Sequence, residues 1–160
     1  MEVLRKVFIS ESADMSELTE QIITWRERLE TTRIESVVHV AMQDVDVSRI
    51  HFASIFSFID RNEIQFFSKL GISLSKLLAA NLAMPVISAH CEYKRPFGLD
   101  DVVIVTSYVS DIGTRSIKLR HVTTTSDGEV LADAYTVHVS INEITNSSIT
   151  LDELFEAMGL

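Results

Sequence analysis

From Phe52 to Leu70 the chain carries no proline and no glycine, and Gly71 follows at once. An uninterrupted stretch with apolar residues spread along it predicts one helix of about five turns, ended by a glycine suited to the left-handed cap. Just before it, DVDVSRIH carries Asp44 and Asp46 and reads as a strand end followed by a short polar turn. The helix also holds acidic residues on or beside its apolar stripe. At about 100° per residue, Asp60 projects at the edge of the stripe and Glu63 lies near its middle, between Ile59, Phe66 and Phe67. A carboxylate in that position must find hydrogen-bond partners or take up a proton. Small domains place carboxylates there for few reasons, and catalysis is one of them.

The rest of the chain reads as a sheet that can wrap around this helix. Between Arg33 and Val45 the pattern has period two, with apolar residues on both faces, so both faces are expected to be partly covered. A shorter helix is expected over Ser73–Leu82, with Leu74, Leu77, Leu78 and Leu82 on one side. Beyond Pro85, strands are expected over 86–94, 102–109, 115–125 and 129–142. They are separated by the Arg95-Pro96 loop, an Asp111-Ile112-Gly113 turn and a Ser126-Asp127-Gly128 hairpin. Thr150 then caps a short helix over 151–158. Near the start, Val3, Val7 and Ile9 allow an edge strand, and Asp14 or Ser16 can cap a helix striped by Leu18, Ile22, Trp25 and Leu29. That stripe is read as packing on the protein's own core or on a subunit mate. One strand, a long helix, then four antiparallel strands is an α+β order, with one five-stranded antiparallel sheet wrapped on the helix. Residues 1–160 are assigned to a single domain: an N-terminal extension with its helix (1–32), a core (33–143) and a tail with a short helix (144–160).

Composition narrows the function. The chain is 46% hydrophobic and 23% charged, a globular balance. Its net charge of −9, with 14 scattered Lys and Arg, argues against a nucleic-acid partner but leaves room for a local basic patch on a phosphorylated ligand. The lone Cys91 allows no intrachain disulfide and fits a reducing compartment. No apolar run approaches the ~18 residues needed to cross a bilayer, and the charged first residues lack a signal-peptide pattern. No membrane partner and a cytoplasmic location are therefore expected. His39, His90, His121 and His138 stand singly on expected strands, so no metal site is expected.

Three stretches carry a family resemblance. DVDVSRIHF leading into HFASIFSFIDRNEIQFFSKLG, then MPVISAHCEYKRPFGLDDVVIV, then SDGEVLADAYTVHVSI follow one another in an order and spacing that resembles hot-dog fold acyl-CoA thioesterases, the 4-hydroxybenzoyl-coenzyme A thioesterase-like family. The likeness covers roughly Ile34 to Ile141 and leaves out the N-terminal helix. It departs from the family in the loop before the helix: a glycine is missing, Arg49 occupies the region, and the loop is one residue shorter. The resemblance implies a thioester hydrolase that is a homodimer or a dimer of dimers, with sheets paired edge to edge and the acyl group between the helix and the partner subunit. Its substrate is a small-molecule acyl thioester, with coenzyme A entering as part of the substrate or an acyl carrier protein as the alternative carrier. No other cofactor is implied.

The candidate residues then fall into place. A histidine at the helix start with an acidic residue nine positions later is a spacing of this family, matched here by His51 and Asp60. Asp46 falls on the family's loop aspartate if one deletion is allowed. Either carboxylate could activate water or attack the thioester, one from each subunit. The free backbone amides of Phe52 and Ala53 at the helix start suit a developing oxyanion. His51 either orients substrate or serves as a polar cap. Glu63 is either chemically active or a structural hydrogen-bonding group. Arg95 and Lys94 are the family-implied cations for the coenzyme A phosphates. The rival is a non-catalytic acyl-thioester or fatty-acyl binding protein of the same fold, supported by the shortened loop.

Overall fold

A computed structural model describes residues 23–160. Five strands, β1 (Arg33–His39), β2 (Val86–Tyr93), β3 (Val102–Ile112), β4 (Ser116–Thr124) and β5 (Val130–Val139), form one antiparallel sheet in the order β1-β3-β4-β5-β2. Helix α2 (Ser54–Lys69) packs against β1 and β3. This is the α+β hot-dog arrangement, with a five-stranded sheet around a long central helix. Helix α2 buries Ile55, Phe58, Ile59, Asn62, Glu63 and Phe66, alternating intervals of three and one that make a single stripe. It stops as its sequence requires. Gly71 adopts φ +81°, and its N–H reaches Ser68 O while the Ile72 N–H reaches Phe67 O, both at 2.9 Å.

The apolar contacts divide along the helix. Ile55, Phe58 and Ile59 pack with Phe97, Val103, Val105 and Leu131. Phe66, Leu70 and Ile72 pack with Leu29, Leu119, Leu154 and Phe155. Asn62 and Glu63 lie between these clusters in sequence, opposite inward-facing polar residues of the sheet. Burial alternates along β4 and β5, which turns Ile117, Leu119, His121 and Thr123 inward from one strand and Ala134, Thr136 and His138 from the other.

Several local expectations are corrected. Thr24 is extended (φ −65°, ψ 155°) and caps a new helix, α1 (Trp25–Thr31), through a reciprocal box with Glu27. No single helix therefore runs through Thr24 to Leu29. The edge strand and the Leu18 and Ile22 part of the stripe lie outside the described residues. Trp25 stacks on Phe155 of helix α4 (Leu151–Ala157), centroids 4.4 Å apart and planes 7° apart. Strand β1 ends at His39, and only one of its faces is partly covered: Ile34, Ser36 and Val38 are half-buried while Glu35, Val37 and His39 are exposed. Helix α3 is short (Leu74–Ala79), and Leu74 and Leu78 face outward, 72% and 57% exposed. Leu82 instead joins a two-residue strand, Leu82–Ala83, beside Ile141–Asn142. The last long strand splits at Ser140, whose buried hydroxyl donates to Ile149 O at 2.7 Å and turns the chain out of the main sheet. Among the described residues no helix is long and apolar enough to cross a membrane.

Candidate active site

The loop before α2 is a two-residue hairpin, with Val45–Asp46 paired to Arg49–Ile50 and Val47 at the tip with φ +64°. Its buried acid is Asp44. That carboxylate accepts the Ala41 N–H at 2.9 Å, and its carbonyl accepts the His51 N–H at 2.8 Å, so Asp44 ties the loop to the helix start. Asp46 is exposed on the hairpin. His51 is half-buried, and its Nδ1 accepts the Ala53 N–H at 3.2 Å. A neutral His51 thus carries its proton on Nε2. Of the two amides expected to meet an oxyanion, the Ala53 N–H is engaged by this contact, while the Phe52 N–H has no acceptor among the described residues.

Beside the helix start lies a depression of about 330 Å³ lined by Arg49, Phe52, Tyr93, Lys94, Arg95 and Phe97. The Tyr93 hydroxyl donates to Phe52 O across it, and burial pushes the Tyr93 phenol up from its ordinary range. Lys94 and Arg95 are therefore brought to the helix start, with Arg49 as a third cation. Lys94 pairs with Glu92, and Arg95 with Glu129, both at exposed positions.

The middle of α2 is built differently. Asn62 Nδ2 donates to Val105 O (2.9 Å) and Ser107 Oγ (3.0 Å), and its Oδ1 accepts from Ser36 Oγ (2.6 Å). Ser107 Oγ lies 2.8 Å from His121 Nδ1. The other ring nitrogen, Nε2, faces the Glu63 carboxylate and so carries a proton, and in a neutral His121 Nδ1 then accepts from the Ser107 hydroxyl. His121 Nε2 is 3.0 Å from Thr136 Oγ1 and 3.2 Å from Glu63 Oε1. Thr136 donates its hydroxyl proton to the same Oε1. His138 completes the set, with Nε2 3.1 Å from Glu63 Oε1 and Nδ1 3.1 Å from Met84 O. A carboxylate and a carbonyl are both acceptors, so His138 holds both protons and is an imidazolium facing Glu63.

Electrostatics agree with this proton count. Burial alone would raise the Glu63 pKa, but the bonds from His121 and His138, the charge of His138 and the Thr136 hydroxyl outweigh it and hold the group at about 2. Burial would lower His138, but the Glu63 carboxylate and the Met84 carbonyl overcome that and raise it.

Glu63 also borders a groove of about 480 Å³ between α2, α3 and β2, whose walls include Ile64, Phe67, Leu77 and Met84. Asp60, exposed, stands on the same groove one turn earlier. At 1.5 Å per residue, Glu63 is about 15 Å along the helix from Ala53, and Asp60 about 10 Å. Within one chain, then, His51, Phe52, Ala53, Lys94 and Arg95 gather at the helix start with the Asp46 hairpin beside them. Asp60 and Glu63 gather at the groove. The two groups do not meet. Sequence reasoning missed Asn62, Ser107, His121, Thr136 and His138 as a connected set; the available signal was that His121, Thr136 and His138 all occupy inward positions of their strands.

The family model of the Thioesterase-like superfamily matches residues 40–156. The long-chain acyl-CoA thioesterase FadM of Escherichia coli (strain K12) is 31% identical over 81 residues, which are 50% of this chain and 61% of that protein. The chain thus spans about three fifths of the length of that curated relative. Among solved structures, a Staphylococcus aureus protein in complex with CoA superposes with TM-score 0.72 at 21% identity, over 79% of this chain and 81% of its own. The probable thioesterase YbaW from Escherichia coli gives 0.68 at 25% identity, over 78% and 96%. The 1,4-dihydroxy-2-naphthoyl-CoA thioesterase of Synechocystis gives 0.70 at 16% identity, over 79% and 95%, a likeness of fold. By its hot-dog architecture and the family-model match across most of its core, the chain belongs to the thioesterase-like superfamily.

Proposed function

We propose that the protein hydrolyses acyl-CoA thioesters at a site completed by a second copy of the chain. The observation that carries this reading is the separation of Asp60, on the groove, from the amides and cations at the start of α2. Strand β2 is one of the two edge strands of the sheet, β1 being the other, and it is exposed along nearly its whole length with Val86, Ile87 and Tyr93 outward. Such an edge is a template for pairing. Two copies joined edge to edge through β2 about a two-fold axis set their α2 helices antiparallel, so the start of one faces the middle of the other.

In that arrangement Asp60 takes a proton from water, and the water oxygen attacks the thioester carbonyl. The Phe52 amide steadies the oxyanion, the C–S bond breaks, and the sulfur leaves as the thiol with the proton that Asp60 took from water. Arg49, Lys94 and Arg95 take the coenzyme A phosphates, and coenzyme A enters as part of the substrate. An acyl carrier protein is the alternative carrier. This chemistry draws on no metal or dissociable cofactor, and the half-buried Cys91 thiol suits a cytoplasmic setting. The sequence likeness to a long-chain acyl-CoA thioesterase supports the substrate class.

The test is thiol release from short, long and aromatic acyl-CoA esters. Asp60→Asn should lower kcat/KM by about 10²–10⁴ without changing the melting curve, since Asp60 is exposed. Asp46→Asn should have a small effect. Saturable acyl-CoA binding with no thiol released from any ester would overturn hydrolysis and establish the binding protein instead.

A further inference from the structure

The bonds to Glu63 are lopsided. Among the described residues, the His121, Thr136 and His138 donors all converge on Oε1, and Oε2 has no protein partner. No buried side-chain nitrogen or oxygen among the described residues lacks a hydrogen bond. Oε2 must therefore be accessible, and the space that Glu63 borders is the groove. The three donors keep the carboxylate ionised, so Oε2 presents an acceptor to whatever fills that groove.

We propose that Glu63 is an acyl-recognition residue, selecting acyl groups that carry a hydroxyl within a few carbons of the thioester. An ionised carboxylate accepts and cannot donate, so it favours a ligand donor and repels a second acid group. The Glu63–His138 pair is neutral as a whole, so it calls for a neutral donor rather than a cation. Around it the walls are mainly apolar, from Ile64, Phe67, Leu77 and Met84, and they accommodate hydrocarbon. Asp60 and Glu63 are three residues apart on one helix face, with Cβ atoms about 5–6 Å from each other. With Asp60 serving the reacting carbonyl, the Glu63 oxygen meets the acyl group close to its carbonyl end. An unsubstituted chain laid over Oε2 strips it of water and returns no hydrogen bond, and such a loss separates a hydroxylated ligand from its plain analogue.

This inference rests on the thioesterase reading only for where the acyl chain lies, so its test is binding rather than turnover. Thioether analogues of coenzyme A, which lack the scissile bond, would be titrated calorimetrically as 2-, 3- and 4-hydroxyalkyl forms and as the plain alkyl form of equal length. The best hydroxylated analogue should bind the wild-type protein roughly tenfold to a hundredfold more tightly than the plain one. In Glu63→Leu/His138→Leu, which removes both charges together and leaves neither buried alone, that ratio should fall to about one or invert. Thr136→Val removes a donor to Oε1 and leaves Oε2 in place, so the preference should persist. A purely structural role for Glu63 would move the melting curve and leave the ratio unchanged. Equal binding of the plain and hydroxylated forms, no binding of either, or a preference that survives the double substitution would overturn the assignment. Preference without hydrolysis of any ester would sink the hydrolase and leave the recognition role standing.

Discussion

The start and the middle of helix α2 place their polar groups by opposite means. At its start, Asp46 is exposed, the Phe52 side chain is 70% exposed, and the cations Lys94 and Arg95 are held only by surface carboxylates. Ten residues on, Asn62 is fully buried and Glu63 is 8% exposed, each tied to the sheet by several hydrogen bonds. The middle is tied together within one chain, whereas the start presents its amides and cations to the surface. A static fold can preorganise charge where the sheet supplies donors, but a loop supplies only reach.

Breaking the ion pair is the most severe test of that contrast. Glu63→Leu leaves the His138 imidazolium buried without its counter-charge, and such a loss costs about 3–5 kcal/mol of unfolding free energy. Urea denaturation should show it, and Glu63→Leu/His138→Leu should recover much of it. Asp46→Leu on the hairpin beside the helix start should leave the transition unmoved. If Glu63→Leu unfolds within about 1 kcal/mol of wild type, the pair is not the ionic one its partners imply.

The same pair sets two opposite pH limbs. Glu63 is depressed from 4.5 to about 2 in the fold, so its contribution is present above about pH 5 and lost as pH falls toward 2, on the order of 3 kcal/mol in all. His138 is raised, so its contribution is present below its unfolded value of 6.5 and lost as pH rises through its folded value. Stability should peak at about pH 5–6.5. Guanidinium titrations of the double leucine variant should show both limbs flattened.

Asn62 probes the network without its charges. Asn62→Leu strands Ser36, Ser107 and the Val105 carbonyl, and about 2 kcal/mol should be lost. Hydrogen exchange of the β3 amides should speed up most near Val105 and Ser107. A change confined to the helix start would mean that the two regions are coupled more closely than their separation suggests.

What the sequence discloses follows the same division. Local signals are legible: the stop at Gly71, the Ser126–Gly128 hairpin, the Thr150 cap and the period-two strands all depend on near neighbours. Thr24-Trp25-Arg26-Glu27 is also a capping box in plain sight, yet the apolar stripe running across it argues for one continuous helix. Glu63 stands out by its position among apolar residues, but its partners do not, because Thr136 and His138 are 73 and 75 residues away. Their meeting depends on strand register, which aligns Leu119 with Thr136 and Ile117 with His138. Period two gives which residues face inward; it does not give which ones share a layer. Histidines that stand singly along the chain thus converge in space.

The smallest effect on stability is expected at the helix start, and there it sharpens the contrast most. Arg95 makes only an exposed pair with Glu129, so Arg95→Ala should not shift the melting curve. If Arg95 meets a coenzyme A phosphate, the same substitution should raise KM for an acyl-CoA several-fold and leave kcat nearly unchanged, because phosphate binding is equal in ground and transition states. The corresponding acyl-pantetheine, which lacks the nucleotide phosphates, should be hydrolysed with the same KM by both proteins. Equal losses on the two esters would move Arg95 away from the phosphates and toward the acyl group. A residue with no structural debt to its own chain would then be answering to the substrate alone, which is the reverse of what holds at Glu63.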